Sequence, residues 1–193
     1  MGDDGDVMAP SEYLGRDELD RMLVECGAVK FGKFTLTSGK KSDYYVDVKL
    51  ASTKPAILAQ IAAGMGEIIK GEFPGADLLS GMELGAVPIC AATALQTGID
   101  YLILRKKPRS HGTASQIEGS YRSGARVVIL EDVTTTGGSV IRSAKILRSA
   151  GLEVIGAITV VDRQEGAGEE MKRSGIAFRS LTTAESLRRL KGN

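Results

Sequence analysis

Apolar residues along the chain fall into two kinds of run. In three stretches they follow one another directly: "LILR" from Leu102 to Arg105, "RVVIL" from Arg126 to Leu130, and "VIGAITVVD" from Val154 to Asp162. A fourth, "DLLSG" from Asp77 to Gly81, is weaker. Succession rather than alternation predicts strands covered on both faces, as in a parallel sheet. Between these runs the apolar positions recur at helical spacing. "KPAILAQIAAGMGEIIKG" has Pro55 near its start, "VPICAATALQTG" opens close to Pro88 and closes at Gly98, and "SVIRSAKILRSAG" stops at Gly151. Proline early and glycine late are the expected helix boundaries. "RDELDRMLVECG" adds a helix near the start, and "YYVDVK" from Tyr44 to Lys49 alternates like a strand. Strands alternating with helices predict an α/β fold with a central parallel sheet and right-handed crossovers. Such sheets bind ligands at the carboxyl ends of their strands.

The 193 residues suit a single domain, and 42% hydrophobic with 25% charged content is ordinary for a soluble protein. Basic side chains number 25 and acidic ones 24, so no global field draws the chain to nucleic acid or membrane. Neither is expected as a partner. No apolar run approaches the length of a membrane span, and the first residues lack a signal peptide's pattern. Cys26 and Cys90 match no metal or redox spacing and are expected as small buried hydrophobes. These features predict a cytoplasmic location.

One segment departs from this ordinary pattern. In "VVILEDVTTTGGSVIRSA" (Val127 to Ala144), four apolar residues lead into Glu131 and Asp132, and a loop rich in hydroxyls and glycine precedes a helix. A carboxylate at a buried strand end is costly unless it has something to bind. The turn after it aims backbone N–H groups and the positive helix end at one place, which suits a phosphate. Gly137 and Gly138 permit close approach, and Thr134, Thr135, Thr136 and Ser139 add donors. Neither the Walker pattern nor GxGxxG occurs in the chain. The acids then suit ribose hydroxyls or a Mg²⁺-bearing ligand. The competing structural reading is a polar turn whose acids cap the helix.

"VVILEDVTTTGGS" resembles the phosphoribosyl diphosphate (PRPP) signature of the type I phosphoribosyltransferases. "FGKFTLTSGKKSDYYVDVK" (Phe31 to Lys49), "GMELGAVP" (Gly81 to Pro88), "RKKPRSHG" (Arg105 to Gly112) and "VVDRQEGA" (Val160 to Ala167) are similar, in order and interval, to segments of orotate phosphoribosyltransferases. The resemblance implies the type I phosphoribosyltransferase fold over residues 1–193. About 1–50 with the C-terminal segment would form a small hood subdomain, and about 51–165 the core. It implies transfer of ribose 5-phosphate from PRPP to orotate, giving orotidine 5′-monophosphate and pyrophosphate in UMP synthesis.

The resemblance also assigns residues. Catalytic roles would fall to Lys106, Arg109, His111 and Asp132. PRPP would be held by Arg105, Lys106, Lys107, Arg109 and His111, by Glu131, Asp132 and Val133, and by Thr134, Thr135, Thr136, Gly137, Gly138 and Ser139. Tyr44, Tyr45, Thr135 and Arg163 would line the orotate pocket, and Glu83, Leu84 and Gly85 the pyrophosphate loop. Mg²⁺ would be held mainly by PRPP oxygens and water, with no side chain assigned as a ligand. The basic loop 105–119 would be a lid shared across a homodimer. Two positions depart from many relatives, which carry lysine where Thr37 and Gly85 stand here, and Arg109 replaces the expected loop lysine. Asp47 and Lys49 are expected as a structural charge pair. A transferase for another nucleobase would share the acid pair and Thr/Gly loop but not the paired tyrosines with "DRQE". A PRPP-sensing regulator would need no orotate-like segments.

Overall fold

A computed structural model describes residues 11–35, 39, 41–108 and 115–192. The helices are α1 (Arg16–Glu25), α2 (Val48–Ser52), α3 (Pro55–Glu72), α4 (Ala86–Thr97), α5 (Gly138–Ser149), α6 (Ala167–Arg173) and α7 (Ala184–Arg189). The strands are β1 (Val29–Thr35), β2 (Lys41–Val46), β3 (Leu78–Met82), β4 (Tyr101–Leu104), β5 (Ile117–Glu118), β6 (Arg126–Thr134), β7 (Glu153–Asp162) and β8 (Ala177–Thr183). Six strands form one sheet in the order β5-β4-β3-β6-β7-β8, and β1 with β2 forms a separate antiparallel pair. Within the large sheet every pairing is parallel except β4 with the two-residue edge β5.

The successive apolar residues of β6 now have a cause. Val128 and Leu130 pack with Leu19, Leu23, Ile61, Met65 and Ile89 of α1, α3 and α4. Val127 and Ile129 pack on the other face with Val140, Ala144 and Leu147 of α5 and Met171 of α6. Alternate residues thus bury against different helices, and each fully buried Leu or Ile contributes about 1.5–3 kcal/mol relative to exposure. Cys90 is buried as expected, whereas Cys26 is only partly buried.

Three expectations change. β6 does not stop at Leu130 or at the acid pair. It runs on through Val133 and Thr134 because these pair with Val161 and Asp162 of β7. The strand that includes Tyr44 ends at Val46 rather than Lys49. Asp47 turns the chain by accepting from the Lys49 N–H at 3.2 Å, capping α2. The sheet is mostly, not wholly, parallel. Among the described residues no helix is long and apolar enough to cross a membrane.

Residues 11–14 are strapped across α3 and α4 by two glutamines. The Ser11 N–H donates to Gln96 Oε1 at 3.0 Å, and Gln96 Nε2 donates back to the Ser11 carbonyl at 2.7 Å. Gln60 makes the equivalent pair with the Leu14 N–H and the Glu12 carbonyl, at 2.9 and 3.0 Å. Between them the Tyr13 ring lies on Gly64, where a Cβ would come within 2.9 Å of Tyr13 Cε2 and 3.1 Å of Leu181 Cδ2.

Candidate active site at the carboxyl ends of the central strands

Four neighbouring parallel strands, β4, β3, β6 and β7, end on the same side of the sheet and deliver the predicted segments there. β4 leads into Arg105, β3 into Glu83 to Gly85, β6 into the Thr/Gly loop, and β7 into Arg163. The Arg163 N–H donates to the Thr134 carbonyl at 2.8 Å, so the ladder seats Arg163 beside the start of that loop.

Glu131 is buried, with 6% exposure. Its Oε2 accepts from Ser139 Oγ at 2.6 Å and its Oε1 from the Asp132 N–H at 3.2 Å. Burial pushes its carboxyl up to about 8, the adjacent Asp132 charge adds to this, and the Ser139 hydroxyl opposes it. The folded chain therefore favours the protonated form of this acid near neutrality. Asp132, half-buried, accepts the Val133 N–H at 2.8 Å through Oδ1. The acid pair does not cap α5, whose cap residue Gly137 makes no side-chain bond. Glu131 instead ties the first turn back to the strand through Ser139.

The loop is shaped by glycine. Gly137 has φ +86°, a backbone conformation that disfavours any larger residue, and a Cβ there would also push the flexible end of Met171, 2.4 Å away. Thr134 is buried, and its Oγ1 has no partner among the described residues. Thr135 and Val133 are half-buried, while Thr136, Gly138 and Ser139 are exposed. An orphaned hydroxyl beside exposed N–H donors of a helix start fits an anionic ligand.

From β3, the turn Glu83–Leu84–Gly85 includes a cis peptide between Glu83 and Leu84. Its backbone presses on the acid pair: a Cβ on Gly85 would lie 2.1 Å from Asp132 Oδ2. The Glu83 carboxylate accepts the Lys106 N–H at 2.7 Å, joining this turn to the stem of the basic loop. The stem is held further by the Arg105 N–H to the Gln116 carbonyl at 2.8 Å, and by Arg105 Nη1 to Glu118 at 3.3 Å. Lys106 and Lys107 are exposed, and Arg105 Nε is buried without a partner among the described residues. Arg109 and His111, and Thr37 in the first motif, lie outside the described residues.

The two tyrosines part as strand alternation requires. Tyr45 is 42% exposed and stacks obliquely with Phe34 at 5.7 Å, whereas Tyr44 is 2% exposed. Tyr44 Oη accepts from Arg163 Nε at 3.1 Å, and Arg163 Nη2 pairs with Glu165 at 2.8 Å. Asp47 and Lys49 form the expected pair at 2.7 Å. That hydrogen bond chiefly raises the Lys49 amine above its ordinary value, and the charge of Asp132 contributes, which places Lys49 within reach of the acid pair's field. Two further side chains at this site escape sequence reasoning: Glu165, which follows the predicted arginine, and Arg188 from α7, whose guanidinium lies over Tyr44 at 4.6 Å from the ring centroid. No local pattern marks Arg188, because its partner is 144 positions away. Among the described residues no three His, Cys, Asp or Glu side chains converge on a metal position.

The phosphoribosyl transferase domain family matches residues 52–178. The orotate phosphoribosyltransferase of Pyrococcus furiosus is 49% identical over 172 residues, covering 89% of this chain and 94% of that protein. The crystal structure of orotate phosphoribosyltransferase from Aeropyrum pernix superposes with a TM-score of 0.81 at 33% identity, covering 90% of this chain and 98% of that one. The Mycobacterium tuberculosis orotate phosphoribosyltransferase, crystallised in complex with 5-phospho-α-D-ribosyl 1-diphosphate, gives a TM-score of 0.75 at 32% identity, over 89% and 98% of the two chains. By these matches, and by a sheet whose strand ends carry the acid pair and Thr/Gly loop, the chain belongs to the phosphoribosyl transferase domain family, among its orotate phosphoribosyltransferases.

Proposed function

We propose that this chain transfers the ribose 5-phosphate group of PRPP to orotate, releasing pyrophosphate and orotidine 5′-monophosphate, a step of UMP synthesis. The observation that carries this reading is the run from buried Glu131 and Asp132 straight into the Thr/Gly loop, with Arg163 hydrogen-bonded beside it from β7.

The ribose 5-phosphate lies against Thr134 to Ser139, where Thr134 Oγ1 and the first N–H groups of α5 act as donors. Glu131 and Asp132 accept from the ribose 2- and 3-hydroxyls. Two hydroxyl donors in place of apolar surroundings favour the ionised form of Glu131, so PRPP binding releases a proton near neutrality. Tyr45 offers an aromatic face to the planar orotate ring, and the Arg163 guanidinium meets its carboxylate. Tyr44 and Glu165 hold that guanidinium in place rather than touching the base themselves. Displacing pyrophosphate leaves positive charge on the ribose, as in glycosyl transfer generally. The anionic pair beneath the sugar stabilises that charge, and Arg105, Lys106, Lys107, Arg109 and His111 neutralise the leaving group.

Mg²⁺ would arrive on the diphosphate of PRPP, held mainly by the phosphate oxygens and water, with no side chain of this chain assigned as its ligand. When bound it supplies neutralisation of the departing phosphates. We further assign the loop 105–119 as a lid over the site of a second copy in a homodimer, working in the cytoplasm. The bonds of Arg105 and Lys106 to Gln116, Glu118 and Glu83 give that lid a fixed stem.

Orotate absorbance followed with PRPP and Mg²⁺, beside hypoxanthine, guanine and uracil, tests the reading. PRPP-dependent loss of the orotate signal alone is expected. Turnover of a purine instead would sink the pocket assignment, and silence with every base despite PRPP binding would sink the transferase itself.

A further inference from the structure

Three distant parts of the chain meet at one phenol ring. Tyr44 comes from β2, Arg163 follows β7, and Arg188 lies near the end of α7. The guanidinium carbons of Arg163 and Arg188 lie 5.0 and 4.6 Å from the Tyr44 ring centroid, and the ring is almost wholly buried. Cation–π attraction strengthens as its partners lose water, so the 10%-exposed Arg163 gains more from the ring than Arg188, which is 47% exposed. Each arginine also has its own carboxylate: Arg163 pairs with Glu165 at 2.8 Å, and Arg188 with Asp43 at 3.4 Å. Lys191 reaches the same Asp43 at 3.4 Å, so the end of the chain is pinned to β2 twice. These groups border a cavity of about 340 Å³, lined among others by Lys41, Tyr44, Arg163, Gln164 and Arg188.

The connections run in one direction toward the base. Arg188 rests on the Tyr44 ring, the Tyr44 hydroxyl accepts from Arg163 Nε, and Arg163 is left with Nη1 unbonded among the described residues. We propose that Arg188 is a positioning residue for orotate: by stacking on Tyr44 it fixes the hydroxyl that aims the Arg163 guanidinium at the substrate carboxylate. The assignment rests on the reading of Arg163 as the carboxylate partner. A guanidinium held in one orientation loses less freedom on binding than a free one, so the gain belongs to orotate affinity and not to PRPP. An arginine serving only to staple α7 onto β2 would stabilise the fold without favouring either substrate.

Steady-state kinetics of Arg188→Ala, Arg188→Lys, Tyr44→Phe and Arg163→Ala separate these cases. Arg188→Ala is expected to raise KM for orotate roughly two- to fivefold while KM for PRPP is unchanged. Arg188→Lys recovers part of the loss, since it keeps the charge but not the flat stacking surface. Combining Arg188→Ala with Tyr44→Phe adds little beyond Tyr44→Phe, because both act through the same hydroxyl. If Arg163→Ala raises KM for orotate and Arg188→Ala does not, the positioning role is wrong and the pocket stands. An unchanged KM for orotate in Arg163→Ala overturns the pocket reading itself. Equal loss of both substrates, or a lowered Tm with unchanged kinetics, reduces Arg188 to a staple. Should Arg188→Ala fail to fold, the orotate KM of Arg188→Lys decides alone: a wild-type value refutes the proposal.

Discussion

Replacing Glu131 by glutamine isolates the cost of burying this acid beside Asp132. Its carboxyl is buried at 6% exposure beside Asp132, and it titrates at about 8 instead of near 4.5. An acid whose folded pKa is raised keeps its proton longer when folded than when unfolded. Below about pH 4.5 both states are protonated and nothing is lost. As pH climbs from there through 8 the unfolded chain ionises first, so stability falls, and above 8 the loss is complete. At about 1.4 kcal/mol per pH unit the interval sets a ceiling of roughly 5 kcal/mol, and the repulsion shared with Asp132 makes a loss on the order of 2–5 kcal/mol reasonable. Glutamine does not ionise, and its amide still meets Ser139 Oγ and the Asp132 N–H. Calorimetric Tm values of both proteins, without ligand, between pH 5 and 9 provide the assay. For a domain of this size about 2–4 °C accompanies each kcal/mol, so Glu131→Gln should overtake wild type by on the order of 10 °C at pH 8.5 and match it near pH 5. Parallel Tm curves across that range would refute the reasoning, because they would mean Glu131 is ionised or exposed in the folded state.

Gly137→Ala should cost about 1–2 kcal/mol in urea denaturation, chiefly from left-handed backbone strain, and a loss under about 0.5 kcal/mol would mean the loop relaxes freely. Gly85→Ala brings a Cβ to 2.1 Å from Asp132 Oδ2, so the carboxylate must turn aside, and kcat/KM for PRPP should fall by roughly two- to fivefold while far-UV circular dichroism stays unchanged. Wild-type kinetics in that variant would show that Asp132 tolerates displacement.

Much of this architecture was legible along the chain. Val127 to Leu130 and Val154 to Val161 read as doubly covered strands because both sheet faces carry helices, and the apolar succession records that directly. β8 did not announce itself: "AFRSLTT" is an edge strand with exposed Ala177 and Arg179, and polar Ser180 and Thr182 interrupt any apolar run. The continuation of β6 past Leu130 was invisible for a different reason. Glu131 and Asp132 are poor strand residues, and only pairing with β7 keeps them extended. At the site, the acid pair, the Thr/Gly loop and Arg163 were readable as motifs, since each is compact in sequence. The roles of the two tyrosines were not, because alternation says that they face opposite ways without saying which way the core lies. The Arg188–Tyr44 stack and the Glu83 bond to Lys106 exist only in the folded molecule, between segments with no local signature.

The strap at residues 11–14 binds the history of three positions together. With Tyr13 lying where a side chain on residue 64 would stand, and Leu181 closing the same hollow, residue 64 cannot enlarge alone. In descendants of this sequence, a bulkier residue 64 would have to be accompanied or preceded by a smaller residue 13. Positions 13, 64 and 181 should therefore change as a correlated set across related lineages, although none of them approaches the chemistry.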